Sequence, residues 1–322
     1  MKIFVTRKIP NEGLDLLKKE HEIEVYEHDK IPTKSEIING LKGKDGLLCL
    51  LADNIDEEII NSEPKLKMIA NYAVGFDNID IKAATKRKIP VSNTPGILTD
   101  ATAELTWALL LSAARRIVEG DKYVRDGKFI GWLPMLMRGQ SFSNKTLGII
   151  GAGRIGTEVA LKVKCFKMNV LYYSNKANDI LDKKLNARKV DLDKLLKESD
   201  FISVHVPLTE KTYHLIGEKE LKMMKKTAVF INTSRGPVVD EKALIKALKE
   251  KWIFSAGLDV YEHEPKITKD LIKLNNIVLQ PHTGSATFES RSKMAVMAAE
   301  NMLIGLQGKV PPNCVNPEVF KS

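Results

Sequence analysis

Short apolar runs alternate with charged, amphipathic stretches along most of the chain. In the first hundred residues or so the runs fall at Ile3-Phe4-Val5 and at 23–26, 46–51, 66–70 and 90–92, and segments of helical period separate most of them. A second array starts at Thr146, with strand candidates at 147–150, 169–173, 201–206, 228–232, 255–259 and 277–280. Strands this short, alternating with helices, predict parallel sheets joined by helical crossovers. The expected class is therefore α/β, with two doubly wound parallel-sheet domains. No internal repeat is visible beyond this alternation.

Between the arrays a helical pattern runs over 101–120, with Thr99 or Asp100 to cap it and Gly120 to end it. Residues 121–144 fit neither period and carry Trp132, Pro134, Met135, Leu136 and Met137. Such a stretch is either an arm packed on a second copy or an ordered surface loop. The apolar cluster favours the arm, because exposed clusters generally have a partner. From Thr287 the helical pattern returns through Met302 and Leu306, and an irregular tail with Pro311-Pro312 follows.

Composition narrows the function classes. The 322 residues suffice for two domains, and 43% apolar with 28% charged residues is a globular balance. The opening apolar run is too short for a signal peptide or a membrane span, and no later run reaches about 18 apolar residues. A cytoplasmic protein without a membrane partner is expected. The formal charge of +9 is spread over lysines such as Lys242, Lys246, Lys249 and Lys251. It forms no basic stripe interleaved with aromatics, so no nucleic-acid partner is expected, only a general attraction for anionic substrates. Cys49, Cys165 and Cys314 are too scattered for a disulfide framework or a metal cluster.

The second array opens on T-L-G-I-I-G-A-G-R-I-G-T-E-V-A. Here an apolar strand runs into Gly151-Ala152-Gly153-Arg154-Ile155-Gly156 and a helix pattern follows. Gly151 permits the tight turn, Gly153 the approach of a pyrophosphate, and Gly156 close packing of helix on strand. The first N–H groups of the helix then face the phosphates. The next strand ends at Ser174-Asn175-Lys176, where a domain selective for NAD usually places an acid about 20 residues past the turn. A hydroxyl, an amide and an ammonium stand there instead. An ammonium attracts a 2′-phosphate that a carboxylate would repel. NADP(H) is therefore the expected preference and NAD(H) remains possible, with Lys176 as a plain solvated lysine the alternative.

Three strand ends of this array carry catalytic side-chain types. Asn232-Thr233-Ser234-Arg235-Gly236 follows one, Asp259 and then Glu264-Pro265 another, and Pro281-His282-Thr283-Gly284 a third. Ligands of open α/β sheets bind beyond the carboxyl ends of strands. Arginine grips a carboxylate in a fork and polarises a carbonyl. Histidine donates a proton near neutral pH, and a carboxylate orients it and favours its charged form. These are the groups that reduction of a 2-keto acid requires.

Taken with N-Y-A-V-G-F-D-N-I-D from Asn71, N-T-P-G-I-L-T-D-A-T-A-E from Asn93, V-P-L-T from Val206, N-T-S-R-G from Asn232, G-L-D-V from Gly257 and Q-P-H-T-G-S from Gln280, the chain resembles the D-isomer-specific 2-hydroxyacid dehydrogenases over nearly its whole length. Within that family it is most similar to the glyoxylate/hydroxypyruvate reductases. The resemblance implies a flavodoxin-like substrate domain (1–98 with 288–322) and a Rossmann nucleotide-binding domain (99–287). It implies Arg235 as the substrate-binding arginine, Glu264 as the partner of His282, and His282 as the acid–base. Val74 and Gly75 would offer amides to the substrate carboxylate. The cofactor would be lined by Gly151, Ala152, Gly153, Arg154, Ile155, Gly156, Ser174, Asn175, Lys176, Val206, Pro207, Thr212, Thr233, Ser234, Arg235, Asp259, His282 and Gly284. A homodimer through the 121–144 arm is also implied. Many of those reductases have a second tryptophan shortly after the Trp-x-Pro of that arm. Here Trp132-Leu133-Pro134 is followed by Met135-Leu136-Met137, which leaves the substrate open. Alternatives are a dehydrogenase for phosphoglycerate or a bulkier hydroxy acid, and a nicotinamide-sensing protein without turnover.

Overall fold

The computed structural model describes residues 1–321 and divides into two compact units. The first comprises Met1–Leu98 and the segment from Ser285 onward, and the second is Thr99–Gly284. The second break thus lies three residues before the expected 287.

In the first unit, β1 (Lys2–Val5), β2 (Glu22–Val25), β3 (Gly46–Leu50), β4 (Met68–Tyr72) and β5 (Val91–Ser92) form one sheet in the order β2-β1-β3-β4-β5. Every neighbouring pair is parallel. This is the flavodoxin-like order. β3 is apolar at almost every position because helices cover both faces of the sheet. The helix Lys34–Leu41 starts in a capping box between Thr33 and Glu36. The last helix, Phe288–Leu306, belongs to this unit because Ala295, Ala298, Ala299 and Met302 are buried in one cluster with Ile3, Val5, Leu48 and Met68. Gly13 makes the close approach possible, since a Cβ there would come within 2.4 Å of the Ala295 carbonyl oxygen.

The second unit holds a seven-stranded, fully parallel sheet. Its strands are β6 (Thr146–Ile150), β7 (Asn169–Tyr173), β8 (Arg188–Lys189), β9 (Phe201–Val204), β10 (Val229–Asn232), β11 (Ser255–Leu258) and β12 (Ile277–Leu279). The order is β12-β11-β10-β9-β6-β7-β8, a Rossmann sheet with one strand added at one edge. The chain reverses its direction of winding between β6 and β9, and this is where such sheets bind nucleotides. Two buried clusters flank the sheet. One includes Trp107, Phe142 and Phe201, with the Phe142 and Phe201 rings stacked 4.4 Å apart.

Two local expectations need correction, and one strand had no counterpart among them. The helix expected over 101–120 is two helices, Thr99–Arg115 and Ile117–Arg125. The break is at Arg116, which is left-handed (φ 56°, ψ 40°) and whose guanidinium donates to Glu119 at 2.8 Å. Gly120 does not end the helix, because its N–H still bonds Arg116 O at 2.9 Å. A lone glycine inside a helix costs only about 1 kcal/mol. β8, a charged two-residue edge strand, has no apolar signal by which to be anticipated. Among the described residues no helix is long and apolar enough to cross a membrane.

The 121–144 stretch leaves the second helix and returns at Gly139, where a Cβ would sit 2.2 Å from Ala114 O. Between those anchors Phe129, Ile130, Trp132 and Met135 are 61–84% exposed within the chain.

Candidate active site

The glycine turn has the steric features that its spacing predicts. Gly151 is at φ +101°, and a Cβ on it would meet the His205–Val206 peptide within 2.8 Å. The turn therefore lies directly against the end of β9. On Gly156 a Cβ would fall 2.1 Å from Gly151 O, so any larger residue would push the helix Arg154–Leu161 off the turn. Gly153 differs: a Cβ there meets no described atom within 4 Å, so nothing in the fold itself requires that glycine. Gly153 is also the N-cap of the helix and supplies no side-chain cap. The amides of Ile155 and Gly156 lack the partner that a capping side chain would give. An open glycine facing uncapped amides fits a pyrophosphate.

The rest of the predicted cofactor lining lies on neighbouring strand ends. Thr212 Oγ1 donates to Pro207 O at 2.6 Å and accepts from Thr209 N at 2.8 Å, which folds the loop that follows Val206. Thr233 is buried, its hydroxyl 3.0 Å from that of Thr106. Ser234 donates its N–H and its hydroxyl to Asn232 Oδ1 at 3.0 and 2.9 Å. Ser174 is half-buried, and Asn175 and Lys176 are exposed. Two residues near that loop had no sequence signal. Asn178 donates to Ala152 O at 3.0 Å and Thr157 Oγ1 at 2.7 Å, tying the loop to the glycine turn. Lys189 Nζ lies 3.1 Å from Asn175 O.

Arg235, Glu264 and His282 come together at the ends of β10, β11 and β12. Asn232 Nδ2 holds Arg235 O at 2.9 Å, and Arg235 Nη1 donates to Ser234 O at 2.8 Å. His282 Nδ1 is 2.8 Å from Glu264 Oε2, with the two side chains 25% and 34% exposed. Glu264 Oε1 accepts from Tyr261 N at 2.9 Å. Burial pushes the Glu264 carboxyl up, but the His282 hydrogen bond and charge, the Tyr261 amide and the Arg235 charge outweigh it, and the net direction is down. Glu264 is thus an anion beside the imidazole. His282 itself is left-handed, at φ +55°, a conformation costly for a non-glycine residue and typical of functional sites. Asp259 holds the turn that makes this possible, accepting Thr283 N at 2.6 Å and Gly284 N at 2.8 Å. Burial pushes the Asp259 carboxyl up more than these amides and His282 lower it.

A second network braces the Glu264 loop. His214 Nε2 lies 2.9 Å from Glu262 Oε1, Glu262 Oε2 accepts from Glu241 N at 3.0 Å, and Glu241 Oε2 accepts from Glu262 N at 3.2 Å. None of these contacts was legible in the sequence, because each joins separate crossovers.

Val74 and Gly75 follow β4 in the first unit. Asn93 Nδ2 donates to Val74 O at 2.7 Å and Asn71 Nδ2 to Gly75 O at 2.8 Å. In a planar trans peptide a fastened carbonyl directs the N–H to the opposite side, so the Val74–Gly75 amide is oriented by the Asn93 bond.

A phosphate-binding turn at the switch point, beside an arginine and a carboxylate-backed histidine, defines a nicotinamide-dependent dehydrogenase. Residues 107–284 match the family model described as D-isomer specific 2-hydroxyacid dehydrogenase, NAD binding domain. A glyoxylate reductase of Thermococcus litoralis is 52% identical over 100% of this chain and 98% of its own length. One of Korarchaeum cryptofilum is 53% identical over 99% and 97%. The crystal structure of an NADPH-dependent glyoxylate/hydroxypyruvate reductase from Sinorhizobium meliloti, in complex with NADP and malonate, is similar with a TM-score of 0.88 and 27% identity, covering 100% of this chain and 98% of that one. The chain belongs to the D-isomer specific 2-hydroxyacid dehydrogenase family and is an oxidoreductase.

Proposed function

We propose that this protein reduces glyoxylate or hydroxypyruvate to the 2-hydroxy acid, with NADPH preferred over NADH. The observation that carries the reading is the 2.8 Å contact of His282 Nδ1 with Glu264 Oε2, beside Arg235. The bound nicotinamide supplies the hydride. Gly151, Gly153, Arg154 and Ile155 hold the pyrophosphate, and Ser174, Asn175 and Lys176 take the adenosine ribose end. Arg235 grips the substrate carboxylate and its keto oxygen. Val74 and Gly75 are the residues of the first unit to which the family resemblance assigns binding of a substrate carboxylate. His282, charged and oriented through Nδ1 by Glu264, gives its proton from Nε2 to the oxygen as the keto carbon is reduced. A cation fixed where negative charge grows lowers the barrier without reorganisation.

The preference for NADPH is supported by the missing acid after β7 and by the ammonium groups of Lys176 and Lys189 at that loop. Assembly as a homodimer through residues 121–144 is supported by the exposure of Ile130 and Trp132, each 84% within one chain. The substrate assignment is supported by glyoxylate reductases that are 52–53% identical.

The test is steady-state turnover with NADPH and NADH against glyoxylate, hydroxypyruvate, pyruvate and phosphohydroxypyruvate. The highest kcat/KM is expected for NADPH with one of the first two acids. A clear preference for phosphohydroxypyruvate would replace the substrate assignment, and absence of turnover with every acid would favour a sensing protein.

A further inference from the structure

We propose that Tyr261 is a positioning residue whose hydroxyl holds His282 against Glu264, an inference that rests on the catalytic reading of Arg235, Glu264 and His282. It lies in the loop after β11, between the strand end and Glu264, and is 5% exposed. Its contacts run in three directions. The phenol donates to Gln280 O at 2.8 Å, at the end of β12 and two residues before His282. Its backbone N–H donates to Glu264 Oε1 at 2.9 Å, the oxygen not used by His282. Its carbonyl group lies against Gly236, the neighbour of Arg235, so closely that a Cβ on Gly236 would fall 1.9 Å from Tyr261 C and O.

These contacts matter because His282 needs holding. Its backbone is left-handed, and its turn is fastened downstream by Asp259 through the amides of Thr283 and Gly284. Upstream, the Tyr261 hydroxyl fastens Gln280 O. The imidazole is thus held between two anchors while Glu264 faces its Nδ1. Burial, together with the charges of Asp259 and Glu264, pushes the phenol up, so it stays a donor throughout the working range. Charged groups facing this corner include Asp259, Glu264, Glu241, Arg235 and His282. The Tyr261 N–H bond to Glu264 and the packing of its carbonyl on Gly236 are main-chain contacts, which a phenylalanine preserves. The hydroxyl is the part of Tyr261 that acts on His282 alone.

The experiment is Tyr261→Phe, which keeps the ring in the core and deletes the bond to Gln280 O. Three quantities are measured on the full-length enzyme: kcat and its pH profile in glyoxylate reduction, Kd for NADPH by fluorescence, and Tm. With Gln280 unfastened, His282 meets Glu264 less well, and a carboxylate favours the protonated imidazole only when it is close. The expected result is kcat lower by about tenfold, a fraction of a full acid–base loss. The basic limb of the kcat profile should move to lower pH, while Kd for NADPH stays within about twofold. An unchanged kcat and pH profile overturns the proposal. So does a fall in kcat matched by weaker NADPH binding and a lower Tm with an unmoved pH profile, which marks a merely structural tyrosine. If the wild type lacks reductase activity, or His282→Gln retains it, the catalytic reading fails instead, so the two failures are told apart.

Discussion

Two regions at the carboxyl edge of one sheet are built in opposite ways. The corner at β10–β12 is held by nonlocal contacts: Glu264 to His282, Tyr261 to Gln280, and Asp259 to the His282 turn. The loop after β7 carries exposed Asn175 and Lys176, with Asn178 and Lys189 as its visible anchors. On the proposed function, the difference follows from what each must do. A proton donor and an oxygen-binding cation must meet a reacting atom within a few tenths of an ångström, so they are fixed before substrate arrives. A phosphate selector acts through charge at longer range, tolerates motion, and is screened by salt. Damage to the first region should therefore appear in kcat, and damage to the second in the relative use of the two cofactors.

The sharpest way to break that comparison is His282→Gln. It should lower kcat by at least about two orders of magnitude, with Kd for NADPH little changed, and near-normal turnover in a stopped or steady-state assay would dissolve the catalytic corner. Next is Glu264→Gln, which keeps size and removes the charge facing Nδ1. A loss of kcat of about tenfold to a hundredfold is expected. The folded Glu264 carboxyl is lowered from its ordinary value of 4.5. The stability it contributes is complete above that pH and is lost as pH falls through the lowered value, so thermal melts of this variant should differ from wild type above pH 4.5 and converge with it in stronger acid.

Smaller effects should come from the ribose loop. Lys176→Asp should swing the ratio of kcat/KM for NADPH over NADH toward NADH by about tenfold, about 1.4 kcal/mol, with kcat for the better cofactor maintained. The swing should shrink in high salt, and an unmoved ratio would remove Lys176 from the selector.

The smallest effect concerns His205, whose backbone carries the packing of Gly151 and whose Nε2 lies 2.8 Å from Ser203 Oγ. Burial pushes the imidazole down to about 3 from 6.5. The unfolded chain then binds a proton that the folded one does not, so stability declines as pH drops from 6.5 toward 3. His205→Asn should flatten that part of the Tm–pH curve, and curves of equal slope would show the ring to be of no account.

Much of this was legible in the sequence where the cause is local. Three glycines at fixed spacing between an apolar strand and a helix pattern point to a tight turn packed under a helix, and Gly151 and Gly156 carry that packing in the structure, while Gly153 faces open space. The apolar runs located eleven of the twelve strands to within a few residues, because strands buried on both faces leave a continuous apolar signal. β8 was invisible, since Arg188 and Lys189 are paired only along one edge and need no apolar face. The kink at Arg116 was invisible for another reason: any residue can be driven left-handed by its surroundings, and the glycine four positions later was the misleading local cue.

The sequence by itself determined the alternation of strand and helix, the phosphate turn, and the side-chain types at three strand ends, because these depend on backbone sterics and on the spacing of neighbouring residues. Only the tertiary structure decided that Asn178 reaches the glycine turn and that Tyr261 binds Gln280 nineteen residues away. Those contacts join segments that are distant along the chain, and their partners are ordinary residues until folding places them within hydrogen-bonding or van der Waals reach.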